Sequence, residues 1–295
     1  MRFGVFPAVD ATRLAATADE AVLAEEQGFD SIWVGEHHGR VDQCPSPLLL
    51  LSHIAARTRR VRLGTGSLLV PLYHPVRLAA EVAMLHDLSG GRAVIGVSPG
   101  YVAGEFAAFG LTPDEKVRRF VEGLTAVRRL LGGRNRPEFW LGVGGPKLIA
   151  RAVELAERFY IGMPATVTQI RQRIALYRGA LEGSGQEFSS ARVALNRLVF
   201  VTEDARPRET ALARATEILS AQYRRYGNPD ILAGGEPTAD DGPAIVGSPD
   251  ECVARIRRLQ AMGVGYVIAD MHCIDRESAL ESMGLFASRV LPHFN

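Results

Sequence analysis

A single (β/α)8 TIM barrel with insertions at its C-terminal face is the fold class this sequence predicts. Eight short apolar runs alternate with segments of helical period. The 295 residues suit one such barrel, whose usual size is about 250 residues. No strand-like run is followed by GxGxxG, which disfavours the alternative, a doubly wound open sheet. One domain over residues 1–295 follows, with no solenoid repeat and no low-complexity tract.

Arg2–Phe6 reads as the first strand, closed by Pro7. The apolar positions between Thr12 and Gln27 have helical spacing, and Gly28 is placed to stop that helix. Ile32–Val34 is a buried strand with Trp33 as core, ending in Glu36-His37-His38. Helices over Pro47–Arg57 and from Pro75 flank a third strand, Val61–Thr65, and Ala93–Val97 is the fourth. Val102–Lys116, containing GEFAAFG, is expected as a long pocket-shaping loop before a helix over Val117–Leu131. Phe139–Val143, Phe159–Gly162 and Val193–Val201 are strands five to seven, with helices from Lys147 to Glu157, over Val167–Leu181 and over Pro207–Gln222. Tyr223–Pro243, rich in Gly, Pro and Asp, is expected as a lid or flexible loop. A helix capped by Ser248, strand eight over Val264–Ala269 and a last helix over Glu277–Val290 close the chain.

A net charge of +1 provides no basic field for nucleic acid or an anionic membrane. No apolar run approaches a membrane span, and the chain opens on RFGVFP rather than a secretory leader. Cys44, Cys252 and Cys273 form neither a disulfide framework nor a close metal-ligand pair. A soluble protein of the reducing cytoplasm is expected.

The ends of parallel barrel strands are where ligands bind. Here those ends carry glycine, aromatic and small hydroxyl residues, with few paired carboxylates and no metal-ligand spacing. Such a lining suits a flat, largely apolar cofactor approached by backbone, with one or two imidazoles beside it. Gly144-Gly145-Pro146-Lys147 opens a helix, and free N–H groups at a helix start attract an anion such as phosphate. The same Gly-Gly-Pro run also has a purely steric reading. His53 and His86 fall within helical periods and read as structural, as does His74 before a helix-initiating proline.

GFDSIWVGEHH, VRLGTGSLLVPLYHPVRLAAEVAML, LSGGRAVIGV, GEFAAFG and GSPDECVARIRRLQAMGV together resemble the bacterial luciferase-like flavin monooxygenase superfamily, over nearly the whole chain. The resemblance implies that reduced FMN, delivered by a separate flavin reductase, reacts with O2 to give a C4a-peroxide that oxygenates a small or medium organic molecule. By that resemblance His37 is the catalytic residue. Phe6, Glu36, Gly66, Ser67, Ser98, Gly100, Tyr101, Gly144, Gly145 and Lys147 are the candidate cofactor contacts, and His38 faces substrate. Gly66-Ser67 falls where the family often has a non-prolyl cis peptide under the flavin ring. The family's G-x-x-R-G arginine is replaced by Pro99 in Gly96-Val97-Ser98-Pro99-Gly100, so Lys147 or backbone alone must hold the phosphate. That departure gives weight to hydride transfer by the deazaflavin coenzyme F-420, with a non-catalytic flavin carrier as a third reading. A homodimer through the alanine-rich helices is expected by analogy.

Overall fold

The alternation of apolar strands and amphipathic helices closes into a barrel. The computed structural model describes residues 1–9, 14–39, 44–133, 136–163, 165–226, 242, 244–272 and 274–294. Strands β1 (Arg2–Phe6), β2 (Ser31–Val34), β3 (Arg62–Leu69), β4 (Ala93–Ser98), β5 (Glu138–Gly142), β6 (Arg158–Ile161) and β7 (Val193–Val201) follow in order around the ring. β9 (Tyr266–Asp270) pairs with both β7 and β1 and completes the ring, and every pairing is parallel.

A short additional strand, β8 (Ala244–Gly247), lies beside the C-terminal half of β7. Sequence reading had no strand there, because four residues next to a Gly- and Pro-rich stretch give too short an apolar signal. β3 likewise runs on through Gly66 to Leu69, beyond its expected end at Thr65.

The outer helices are α1 (Leu14–Glu26), α2 (Pro47–Arg57), α3 (Pro75–Leu88), α4 (Ala103–Ala108), α5 (Lys116–Leu131), α6 (Pro146–Leu155), α7 (Val167–Gly183), α8 (Ala205–Tyr226), α9 (Pro249–Ala261) and α10 (Arg276–Leu285). α9 is capped by Ser248 as expected, and the cap is a full capping box: the Ser248 hydroxyl faces the Glu251 N–H while the Glu251 carboxylate accepts from the Ser248 N–H. α8 carries its helical backbone to Tyr226, past the start of the expected lid; of that lid, 227–241 and Pro243 lie outside the described residues, as does Cys273. Among the described residues no helix is long and apolar enough to cross a membrane.

Below the C-terminal mouth the barrel is filled by aromatics. Trp33, fully buried, packs 4.7 Å from Trp140 and 6.2 Å from Tyr160, centroid to centroid. A Cβ on Gly64 would lie 2.5 Å from the Trp33 ring, so this strand can pass only as glycine. The Trp33 indole N–H donates to Ser31 Oγ at 2.5 Å, and that oxygen lies 2.6 Å from the Tyr266 hydroxyl. The buried polar atoms of this layer are thus satisfied by one another.

Candidate active site

β2 ends by turning its polar residues into the mouth. Glu36 is buried, and its carboxylate accepts from the Leu69 N–H at 2.7 Å, the Tyr73 hydroxyl at 2.8 Å and His38 Nε2–H at 2.8 Å. Three of its roughly four acceptor positions are therefore taken by the protein, and Glu36 fixes the histidine turn. His38 is raised above the ordinary imidazole range by its hydrogen bond to Glu36, against the opposing effect of burial. Phe109 packs edge-on at 4.8 Å from the His38 ring.

His37 takes a different partner. Its Nδ1 lies 3.0 Å from Glu105 Oε1, and the His38 backbone N–H donates to the same oxygen at 2.9 Å. A carboxylate can only accept, so in the neutral ring Nδ1 carries the hydrogen and Nε2 presents its lone pair. The Tyr101 hydroxyl stands 3.4 Å from that Nε2. Burial pushes the Glu105 carboxyl up, but hydrogen bonds from His37 and the His38 N–H outweigh it and leave the group below its ordinary range. Glu105 comes from α4, inside the stretch expected as a loop. GEFAAFG forms a helical turn that delivers a carboxylate to the imidazole.

The cavity above the barrel has a volume of about 890 Å³. Phe6, Glu36, His37, Gly66, Ser67, Ser98, Gly100, Tyr101, Gly144 and Gly145 all line it, whereas His38 and Lys147 do not. Lys147 is exposed on the first turn of α6. The Gly66-Ser67 peptide is cis. A Cβ on Gly66 would fall 2.5 Å from the Phe6 ring, and one on Gly142 would fall 3.0 Å from Ser67 Oγ. Glycine is required where these strands pack against the Phe6 ring and Ser67, and at both positions only backbone borders the cavity.

Three further features escaped sequence reading. Arg173, from α7, lines the cavity, and its guanidinium would lie 3.3 Å from a Cβ on Gly144, against the turn that opens α6. Lys116 lines the same cavity, so two cations border it although Pro99 occupies the arginine position. Asn196, on β7, lines the wall with its Oδ1 buried.

At the end of β9, His272 Nε2 lies 2.8 Å from Glu20 Oε1 and Nδ1 lies 3.5 Å from Asp270 Oδ1. Glu20 also accepts from the Ala8 N–H at 3.3 Å, tying α1, the turn after β1 and the end of β9 together. Burial lowers the His272 pKa, but the Asp270 and Glu20 carboxylates outweigh it and push it up to about 10.

A parallel barrel with an oriented imidazole beside a glycine-lined cavity defines a TIM-barrel enzyme. The chain belongs to the luciferase-like monooxygenase family, whose model matches residues 1–265. It is 27% identical to a limonene 1,2-monooxygenase of Rhodococcus erythropolis, over 91% of this chain and 78% of the relative. It is 25% identical to a 5,10-methylenetetrahydromethanopterin reductase of Methanolobus tindarius, over 91% of this chain and 94% of the relative. The crystal structure of the monooxygenase RslO1 from Streptomyces bottropensis superimposes with a TM-score of 0.84 at 26% identity, covering 100% of both chains.

Proposed function

We propose that the chain is the oxygenase component of a two-component monooxygenase that uses reduced FMN and O2 on a small or medium organic substrate. The observation that carries this is the His37–Glu105 pair, 3.0 Å apart, at the wall of a cavity bordered by glycine backbone. The likeness to a limonene monooxygenase supports the oxygenation class and an apolar substrate. The absence of GxGxxG after any strand supports a separate flavin reductase as the source of reduced cofactor.

The residues present fit the group. Gly66 and Gly142 line the cavity and bring no side chain into the space a flat ring would take. Gly144 and Gly145 at the start of α6, with Arg173 beside them, suit its phosphate. Bound there, the flavin supplies the oxygen-activating chemistry. The protein's part is orientation and proton management: Glu105 holds His37 so that Nε2, beside Tyr101, accepts or returns a proton at the cavity wall. Val9, Val143 and Leu148 make the mouth apolar and limit water.

Hydride transfer by coenzyme F-420 is the second reading, favoured by the likeness to an F420-dependent glucose-6-phosphate dehydrogenase of Kineococcus radiotolerans and by Pro99. Leu49, Val76, Met84 and Leu88 stand exposed on α2 and α3 and support a homodimer through those helices, testable by sedimentation. Anaerobic titration with reduced FMN and with reduced F-420, followed by admission of oxygen, tests the cofactor. Tighter FMN binding with oxygen-dependent absorbance changes is expected. Preference for F-420 and indifference to oxygen would refute the monooxygenase reading.

A further inference from the structure

We infer that Asn196 is the hydrogen-bonding anchor for the polar imide edge of the ring that occupies the cavity floor. The inference rests on the flavin reading, and it holds for flavins and deazaflavins alike because both carry that edge.

β7 alternates across the barrel wall. Arg197 is buried with its guanidinium donating to the carbonyls of Met163 at 2.8 Å and Ala165 at 2.6 Å. Its neighbours Asn196 and Leu198 both line the cavity. Asn196 is 8% exposed, and its Oδ1 has no hydrogen-bond partner. Of the buried side-chain atoms in that state among the described residues, it is the one whose residue forms the cavity wall. Buried amide oxygens in native proteins are almost always paired, so an orphan on a residue of the cavity wall points to a ligand that supplies the missing donor.

Position identifies the ligand group. In the eight-membered ring of β1 to β7 and β9, β3 and β7 stand opposite each other. A flat ring laid from the Gly66-Ser67 backbone across the cavity therefore ends against Asn196. The tail leaves toward Gly144 and Arg173, so the end reaching β7 is an edge of the ring itself. Asn196 meets it with a carbonyl and an NH2 side by side. An imide edge presents the complement, a ring N–H beside a carbonyl, whereas the methylated benzenoid edge would leave the amide unpaired.

The test measures dissociation constants of full-length wild type, Asn196→Ala and Asn196→Leu for FMN and for FMN methylated at the imide nitrogen, by absorbance and fluorescence. Wild type is expected to prefer FMN about tenfold or more. Either variant should weaken FMN about 2- to 12-fold, the range of one neutral hydrogen bond. The preference over the methylated analogue should shrink toward unity in Asn196→Ala, which also makes room for the methyl group. Folded variants that hold FMN as wild type does would overturn the inference and leave the flavin reading standing. Failure of wild type to bind FMN or F-420 would instead overturn the flavin reading, and this inference with it. Should neither variant fold, equal binding of the two FMN forms by wild type is itself the refuting result.

Discussion

Glu36→Gln isolates the carboxylate that organises the mouth. Glu36 takes hydrogen bonds from the Leu69 N–H, the Tyr73 hydroxyl and His38, at 2.7, 2.8 and 2.8 Å. A glutamine keeps the shape and removes the charge. Its oxygen serves the Leu69 N–H, while its NH2 meets Tyr73 and His38 as acceptors after both reorient. Each bond then falls from the charge-assisted range of about 1.5–3 kcal/mol to the neutral range of about 0.5–1.5. Three bonds at about 1 kcal/mol each make a loss of ~3 kcal/mol. With an unfolding entropy of about 2.1 cal/mol/K per residue over 295 residues, Tm should fall by about 5 °C. The loss should also depend on pH. His38 is raised by Glu36, so this pair's stabilisation is complete below the ordinary imidazole pKa and lost as pH rises through the folded-state value. The gap in Tm between wild type and Glu36→Gln should therefore narrow from pH 6 to pH 9. Calorimetry at both pH values checks it, and a variant within about 1 °C of wild type at pH 6 would refute the account.

Three other perturbations probe the remaining clusters. Glu105→Gln weakens the 3.0 Å hold on His37 and should cut turnover about 5- to 13-fold, the fall of about 1–1.5 kcal/mol from a charge-assisted to a neutral hydrogen bond, while FMN affinity stays within twofold; equal losses in both would show that Glu105 acts on cofactor binding instead. Arg173→Ala should weaken FMN about tenfold and leave riboflavin, which lacks the phosphate, unchanged; the ratio of the two dissociation constants reads the phosphate contact alone. His272→Gln removes an imidazole whose pKa is pushed up to about 10 between Glu20 and Asp270, so its cost in Tm should be largest near pH 6 and vanish by about pH 10. A pH-independent cost would mean that packing, rather than charge, holds β9 to α1.

The strand runs were legible because a parallel sheet covered on both faces demands continuous apolar stretches, and Val193–Val201 is buried along its whole length. The glycines and Phe6, Glu36, His37 and Tyr101 were placed by position at strand ends, and the structure brings them to one cavity. Other features depend on contacts that no local pattern encodes. Glu105 lay in plain view in GEFAAFG, but its partnership with His37 is set by how α4 packs over β2. Arg173 is one of several arginines along α7, and only the placement of that helix against the Gly144 turn distinguishes it.

Asn196 and Arg197 show the remaining step most directly. Two adjacent polar residues in an apolar strand must face opposite sides of the sheet, since the side-chain period is two. Sequence supplies that opposition but not its sign. The register Asn196 to Ile268 turns the amide into the barrel and sends the guanidinium outward to the carbonyls of Met163 and Ala165. A one-residue slip would exchange them, placing a guanidinium in the cavity and an amide among the helices. The same register leaves a neutral amide in the cavity wall, while the cations that line the cavity, Arg173 and Lys116, come from helices. Polarity along the cavity thus follows from strand register, and Asn196→Arg should abolish flavin binding even in a chain that folds.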